Sequence, residues 1–251
     1  ESHIIFGRQF INTPFINLQD GRMRPTAVVG LWSEINAIKK LHLEGGILYN
    51  ISPRSTIKWF SPGESIGVYA TGVNTDGTKA LYADSLESKI IFIVGADWKP
   101  NKYFKLQVWE LFTHNIFNTV MIQTDIQYPF KKGSTLFASG QMIRQDAVKN
   151  GGNEEAAKTY FEKNGKAMRF GERLGWKNKE IEVSMNYNRI TDHGRYLMPR
   201  EWGREPFFTF LPRERNEGFG DAHAVMGKIN YSITKIKLKL SLATEIGRAH
   251  V

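Results

Sequence analysis

The stretch Arg169–Asn188 reads RFGERLGWKNKEIEVSMNYN, and it decides the fold. In its second half the apolar residues Ile181, Val183 and Met185 alternate with polar residues. Side chains two positions apart share one face of a β-strand, so this pattern is typical of an amphipathic strand. The four residues Lys177–Glu180 separate it from the first half. The stretch therefore predicts a β-hairpin with a tight turn.

The same period of two recurs along most of the chain and predicts about eleven strands. The predicted strands span residues 3–10, 24–35, 41–51, 89–98, 103–110, 119–128, 135–143, 168–176, 181–190, 222–232 and 237–244. No sequence repeat beyond the hairpin period and no domain linker interrupts them. The chain is therefore expected to be all-β and antiparallel.

The connections between these strands are strongly unequal in length. Tight turns fall near residues 36–40, 99–102, 129–134, 177–180 and 234–237. Long connections fall near residues 52–88, 144–167 and 191–221, with a medium one near 111–118. A transmembrane β-barrel has this asymmetry, because its periplasmic rim carries short turns and its outer rim carries long loops. We therefore predict a partial up-and-down transmembrane β-barrel.

Aromatic residues next to the tight turns favour the same interpretation. Trp98 and Tyr103 bracket one turn, Tyr128 precedes the next, and Trp176 and Tyr231 precede two others. Amphipathic rings concentrate at membrane–water interfaces, where barrels carry an aromatic girdle. Ordinary strand aromatics are the competing interpretation, because such residues are common in any sheet.

Composition excludes several classes of protein. The 251 residues include no cysteine, which rules out disulfides and thiolate chemistry. The longest apolar run, Ile90–Ala96, is far shorter than a membrane-spanning helix requires. The 34 Lys and Arg exceed the 25 Asp and Glu, but the basic residues are scattered through turns, loops and one face of the strands. We therefore expect no nucleic-acid partner.

Catalytic motifs are also missing from the sequence. The six histidines show no metal-ligand spacing, and there is neither a G-x-S-x-G nucleophile motif nor a phosphate-binding loop. We therefore expect no enzyme activity, no cofactor and no metal site.

The two ends of the chain look atypical. Glu1 leads directly into a strand-like segment, and the last residues, Glu245–Val251, read EIGRAHV, as a common sequencing adapter does when translated. We expect residues 1–244 to form the partial barrel and residues 245–251 to be non-native.

Two patches resemble the OprD family of outer-membrane porins at residue level. The first is Phe6–Gln9, followed by Pro14 and by the run Asp20–Pro25. The second runs from Gly194 to Gly218 and includes PREWGREPFF at Pro199–Phe208. The resemblance implies a barrel of about 18 strands in the outer membrane, narrowed by infolded loops. It also implies a ladder of basic side chains that guides carboxylate-bearing solutes.

The residues themselves provide candidates for such a ladder. Arg169 and Arg173 fall on the polar face of their strand, and Arg189 follows on the next strand near its loop end. The remaining candidates are Arg8 on the first strand, and Arg22 and Arg24 near the mouth. Guanidinium groups in a narrow pore offer bidentate sites to carboxylates. Structural ion pairs across the wall are an equally weighted alternative.

The segment Gly203–Gly220 is rich in Arg, Glu, Pro and aromatic residues. A loop of this length is often functional, and this one is a candidate constriction. Arg200, Arg204, Arg213 and Arg215 would pair there with neighbouring glutamates. A self-paired external lid is the alternative.

The sequence thus predicts an outer-membrane porin that allows passive, partly selective diffusion of small hydrophilic solutes, preferentially anionic or carboxylate-bearing ones. Its expected partners are those solutes and outer-membrane lipid, and assembly into homo-oligomers is left open. One alternative is a soluble or surface glycan-binding module with its apolar faces packed inward. Another is a barrel for export or with enzymatic purpose.

Overall fold

The computed structural model describes residues 2–19, 24–69, 71–74, 78–130, 133–211, 218–233 and 238–250. It contains eleven strands in this part of the chain. They are β1 His3–Gln9, β2 Ala27–Ile35, β3 Leu41–Ser52, β4 Ile91–Asn101, β5 Phe104–Thr113, β6 Phe117–Pro129, β7 Thr135–Ala147, β8 Lys166–Lys177, β9 Ile181–Ile190, β10 Gly220–Ile233 and β11 Leu238–His250. The helical content is α1 Pro62–Ser65 and one 3-10 turn at Ala156–Lys158.

All eleven strands form one antiparallel sheet in chain order, each pairing with the next. In the hairpin that decided the fold, Arg173 pairs with Asn186 and Leu174 with Met185. The sheet does not close on itself within the described residues, so β1 and β11 are its two edges. The prediction of an all-β antiparallel meander with about eleven strands is confirmed.

The two faces of the sheet differ in what covers them. On one face, which we call the outer face, Phe170, Leu174 and Met185 are 40%, 62% and 62% exposed. On the other, the inner face, Arg169 and Asn188 are fully buried. The apolar rows therefore do not fill a dry centre. An inward-packed soluble module would require the opposite arrangement, so that alternative is wrong.

Four long connections and one three-residue turn leave the same end of the sheet, and their described residues pack onto the inner face. We number them L1 (residues 10–26), L2 (53–90), L3 (the turn, 114–116), L4 (148–165) and L5 (191–219). The medium connection predicted near residues 111–118 is only this turn, because β5 and β6 extend into it. Their apolar side chains join inner-face residues of the strands in one buried cluster. The cluster includes Phe15 of L1, Ile66 of L2, Phe161 of L4 and Trp202 of L5, together with Trp32, Ile93, Trp109 and Phe117 of the strands.

The short turns lie at the opposite end, where Trp98, Tyr103 and Tyr128 are exposed. In the described part of the chain, no helix is long and apolar enough to cross a membrane. Residues 245–250 continue β11, and Ile246 pairs with Val225 of β10. The non-native origin of residues 245–251 stays a prediction.

Candidate functional site

L5 crosses the inner face as a strap held by two glutamines of β7. The side chain of Gln145 donates to the carbonyl of Leu197 at 2.8 Å and accepts from the Leu197 backbone N–H at 3.0 Å. Nearer the middle of the strand, Gln141 Nε2 donates to the carbonyl of Pro206 at 3.0 Å. An inward-pointing amide can satisfy the backbone groups of an irregular segment, which would be costly to bury unpaired. The two glutamines therefore fix where L5 lies.

L1 holds the middle of the strap. The Asn17 backbone N–H donates to the carbonyl of Trp202 at 3.0 Å. The Asn17 side chain completes the contact, because Nδ2 donates to the Arg204 carbonyl at 3.0 Å and Oδ1 accepts from the Arg204 N–H at 3.1 Å. Gln19 Nε2 donates to the Arg200 carbonyl at 2.6 Å. These contacts join segments about 180 residues apart in sequence.

L2 supplies the third anchor through the buried pair Glu201 and Trp202. One carboxylate oxygen of Glu201 accepts from the backbone N–H groups of Gly67 and Tyr69, each at 2.9 Å. Gly67 has φ +99°, a conformation that favours glycine and that turns its N–H toward Glu201. Trp202 is fully buried, and its Nε1 donates to Ser65 Oγ at 2.8 Å.

The short helix α1 positions Ser65 for this contact. Ser61 caps the helix, and Glu64 closes the capping box by accepting from the Ser61 N–H at 2.9 Å and from its hydroxyl at 2.8 Å. These bonds favour the ionised carboxylate, so the pKa of Glu64 lies below its ordinary value. The helix is thus fixed at its N-terminus, one turn before the residue that holds Trp202.

The tip of L5 lies on the two arginines of β8. The ring of Phe207 is centred 4.2 Å from Cζ of Arg169, and the ring of Phe208 is centred 4.6 Å from Cζ of Arg173. Both distances are within the range of cation–π attraction. The sequence predicted the arginines and the loop separately. The structure brings them together.

Arg169 is fully buried beneath this tip. Its guanidinium donates to Asn188 Oδ1 and to Gln141 Oε1. It lies flat over Gly171, since a Cβ added there would come within 2.5 Å of Nη2. Arg169 therefore contacts β7, β9 and L5 at once, and its guanidinium meets amide oxygens and an aromatic ring there.

Arg173 is 35% exposed and meets open space. Its Nη2 lies 3.1 Å from Ser139 Oγ and 3.4 Å from Asp125 Oδ1. A cavity of about 350 Å³ adjoins it on the short-turn side of the L5 tip, and Lys105 and Lys177 also line this cavity. The cavity walls include five basic residues, namely Lys99, Lys102, Lys105, Arg173 and Lys177, against the acidic Asp125 and Glu182. The space is therefore net positive.

Two predicted ladder residues lie on the outer face instead. Arg189 pairs in register with the outer-face residue Phe170, and its Nη2 forms an ion pair with Asp221 at 2.5 Å. Arg8 follows Phe6 by two positions and shares its exposed face, with its guanidinium 5.2 Å from the Trp59 ring centroid. The strict period of two puts both side chains outside, so neither position fits an inner ladder.

The remaining predicted residues lie at the loop end. Arg24 is exposed just before β2. Arg200 and Arg204 are exposed on L5, with the Arg204 guanidinium 5.9 Å from the Phe210 ring centroid. Arg22, Arg213 and Arg215 lie outside the described residues.

Sequence reasoning missed the polar residues that position the arginines and the loop. They are Asp125, Ser139, Gln141, Gln145, Asn188 and Lys177, all on the inner face. The sequence does contain one indication of them, because each lies on the polar face of its strand, at alternate positions to the apolar residues. Arg169, Gly171, Arg173, Gly175 and Lys177 also alternate basic residues with glycine along β8. That alternation makes room for large side chains to lie flat.

Among the described residues, no group of three or more His, Asp or Glu is arranged to hold a metal ion.

Comparison with known proteins identifies the architecture. A family model described as outer membrane porin, OprD family, matches residues 1–199. None of the curated proteins matches the chain. Among solved structures, OccK8 (OprE) of Pseudomonas aeruginosa is similar with a TM-score of 0.77 at 14% identity, covering 98% of this chain and 63% of that one.

Two further Pseudomonas aeruginosa structures agree. OpdQ has a TM-score of 0.77 at 12% identity, covering 99% of this chain and 61% of that one. OpdK with vanillate has a TM-score of 0.76 at 12% identity, covering 98% and 59%. The chain thus spans about 60% of the length of these proteins. Members of this family are non-enzymatic channels of the outer membrane. With a family model that matches most of its length, this chain belongs to the OprD family of outer membrane porins.

Proposed function

We propose that this chain forms part of the wall of a pore through which small hydrophilic solutes diffuse passively, with a preference for anions that carry a carboxylate. The observation that carries this proposal is the partly exposed guanidinium of Arg173 at a net positive cavity next to the L5 tip. A positive field in a narrow aqueous space favours anions over cations of the same size.

Arg173, Lys177 and Lys105 would contact the solute. Asp125 and Ser139 hold Arg173 Nη2 and the Phe208 ring lies against the guanidinium, so a solute would reach the part of the side chain that stays exposed at the cavity. Lys105 is 2.7 Å from Asp97, so part of its charge is compensated. Lys177 lies 5.6 Å from the Phe137 ring centroid and forms no ion pair among the described residues. We therefore rank Arg173 and Lys177 above Lys105.

The solute class follows from the chemistry of these groups. Carboxylates match the planar fork of arginine and accept hydrogen bonds from lysine. The similar protein OpdK was solved with vanillate, a small aromatic carboxylate. Phe137, whose ring centroid is 5.7 Å from Arg173 Cζ, would offer an apolar surface beside the charge. The L5 tip would set the width that the solute must pass.

Planar-bilayer recordings of the full-length protein test this proposal. Arg173→Ala should lower the anion-over-cation permeability ratio, read from the reversal potential in a KCl gradient, and Arg173→Lys should preserve most of it. Arg189→Ala is the matched control, because it removes the same charge from the outer face. An unchanged ratio in Arg173→Ala, or an equal loss in Arg189→Ala, would contradict the proposal.

A further inference from the structure

The positive charge of this protein is concentrated in five short stretches of its sequence. They are residues 36–40, 99–103, 129–134, 177–180 and 233–237, and they comprise the tight turns predicted from the sequence together with adjoining strand residues. Together they contain ten lysines, one glutamate and no arginine, which gives a net charge of +9. The rest of the chain has 24 basic and 24 acidic residues and is neutral. The whole excess therefore comes from these stretches, each of which contributes two lysines.

Six of these lysines lie in the described residues, and their charges are not compensated there. Lys39, Lys40, Lys99, Lys102 and Lys179 are exposed, and Lys177 is half-buried. None of the six forms an ion pair within the described part of the chain. Lys99, Lys102 and Lys177 also line the cavity beside Arg173, whereas Lys39, Lys40 and Lys179 do not and can bind an external anion independently of it.

Aromatic side chains next to the turns fix the depth of these six lysines, which we call the lysine rim, in the membrane. Trp98 lies three residues before the end of β4, Tyr103 directly precedes β5, and Tyr128 is the last residue but one of β6; all three are exposed. Such rings sit at the level of the lipid headgroups. Lys102 Nζ is 5.1 Å from the Tyr103 ring centroid, and Lys99 directly follows Trp98. The ammonium groups therefore reach the layer in which lipid phosphates lie.

We propose that this lysine rim binds anionic phospholipid headgroups of the periplasmic leaflet. The rim faces the periplasm because short turns do so in outer-membrane barrels. Lysine suits this role, since it carries a compact charge on a flexible stem that can follow mobile phosphates. Lysines that lie beyond the membrane could also bind a soluble acidic partner. The lipid phosphate is the better match here, because the exposed aromatic rings next to the turns place these lysines close to the headgroup layer. Each lysine near an anionic surface raises binding about fivefold.

The test compares lipid preference in reconstituted full-length protein. The rim variant is K39Q/K40Q/K179Q, whose side chains are exposed and do not line the cavity beside Arg173. The matched control is K58Q/K149Q/K163Q, which removes the same charge from exposed positions on L2 and L4. Quenching of the turn-side tryptophans by brominated phosphatidylglycerol in phosphatidylcholine bilayers gives the relative binding constant of the two lipids. A charge-preserving variant, K39R/K40R/K179R, separates charge from folding.

For the native protein we expect a phosphatidylglycerol preference of about fivefold or more at low salt. It should fall toward unity in the rim variant and in 1 M NaCl, and persist in the control and arginine variants. Ion selectivity of the pore should be the same in the rim variant, so failure here leaves the proposed function intact. No preference in the native protein, or equal loss in the rim and control variants, would overturn the inference. Salt-sensitive binding to peptidoglycan sacculi without lipid preference would overturn it too, by assigning the rim to a different polymer.

Discussion

Arg169 and Arg173 lie four residues apart on β8 and have the same chemistry, yet their surroundings differ. Arg169 is fully buried under Phe207, whereas Arg173 reaches the cavity. We expect Arg169→Ala to destabilise the fold and loosen L5, because the amide oxygens of Gln141 and Asn188 each lose their Arg169 donor. Each such loss costs about 1–3 kcal/mol, partly offset by the charge that is no longer buried.

Urea unfolding of the protein in liposomes measures this effect, and single-channel recording should show higher or noisier conductance. Arg173→Ala serves as the control, since it removes a partly solvated charge and should change stability much less. Equal stability losses in the two variants would contradict the division of roles.

Gly171 explains why Arg169 can lie flat against the wall. A Cβ at this position would be 2.5 Å from Arg169 Nη2 and 2.7 Å from Cζ. Gly171→Ala should therefore lift the guanidinium off β8 and displace Phe207, with the same conductance change as Arg169→Ala. Gly140→Ala is the matched control on the neighbouring strand, where the nearest atom to an added Cβ is Thr124 Oγ1 at 3.5 Å. Unchanged single-channel conductance in Gly171→Ala would contradict this explanation, because it would mean that the guanidinium can shift without displacing Phe207.

Residue positions were predictable from sequence only where the period of two decides them. The inner placement of Arg169 and Arg173 follows from parity with Phe170 and Leu174. The same rule places Arg189 on the outer face, with Val183 and Met185. Arg189 was predicted to line the pore because it lies near the loop end of its strand, and that prediction did not apply the rule. The burial of Arg169 could not be predicted, because it depends on Phe207, 38 positions away in L5.

At the scale of elements, the strands and the loops differ in how local their determinants are. Each strand is set by alternation and by the turn that follows, so sequence alone predicted all eleven. L5 is set by contacts with L1, L2 and β7 that span up to 187 residues. Arg–Glu pairing along the loop was the expected source of its order. That pairing stays a prediction, and the structure adds a determinant that the sequence did not indicate, because Glu201 accepts from two backbone N–H groups of L2.

The Glu201 anchor gives a prediction for the whole loop. Glu201→Ala removes the acceptor of the Gly67 and Tyr69 N–H groups in a buried site, and hydrogen bonds to a charged acceptor contribute about 1.5–3 kcal/mol each. We expect L5 to become mobile, which should appear as faster hydrogen exchange across residues 197–210 and as noisier channel openings. Glu201→Gln keeps an oxygen in place and should be much closer to the native protein. The same exchange rates in Glu201→Ala and in the native protein would contradict this role.

At the scale of the molecule, the orientation of the sheet determines which side chains line the inner face and which are exposed on the outer face. Apolar rows are exposed on the outer face, and loops fill the inner face from one end only. The other end keeps the cavity beside Arg173 and the lysine rim. Under the two proposals, Arg173 would act on solutes, whereas Lys39, Lys40 and Lys179, which do not line the cavity, would act on the membrane. The placement of the loops follows from their lengths, because all four long connections leave one end of the sheet.

A pair of neighbouring substitutions on β9 tests this orientation. Met185 is on the outer face and Ser184 on the inner face, one residue apart near the middle of the strand. Met185→Arg should destabilise the folded protein by about 2–4 kcal/mol, the cost of an arginine on the lipid face at mid-depth. Ser184→Arg lies opposite Lys228, and this like-charge pair should cost on the order of 1 kcal/mol or less. The inner variant should also raise anion preference, because its charge enters the aqueous space. Urea titration of folding into liposomes gives both free energies, and equal costs at the two positions would mean that lipid does not face Met185.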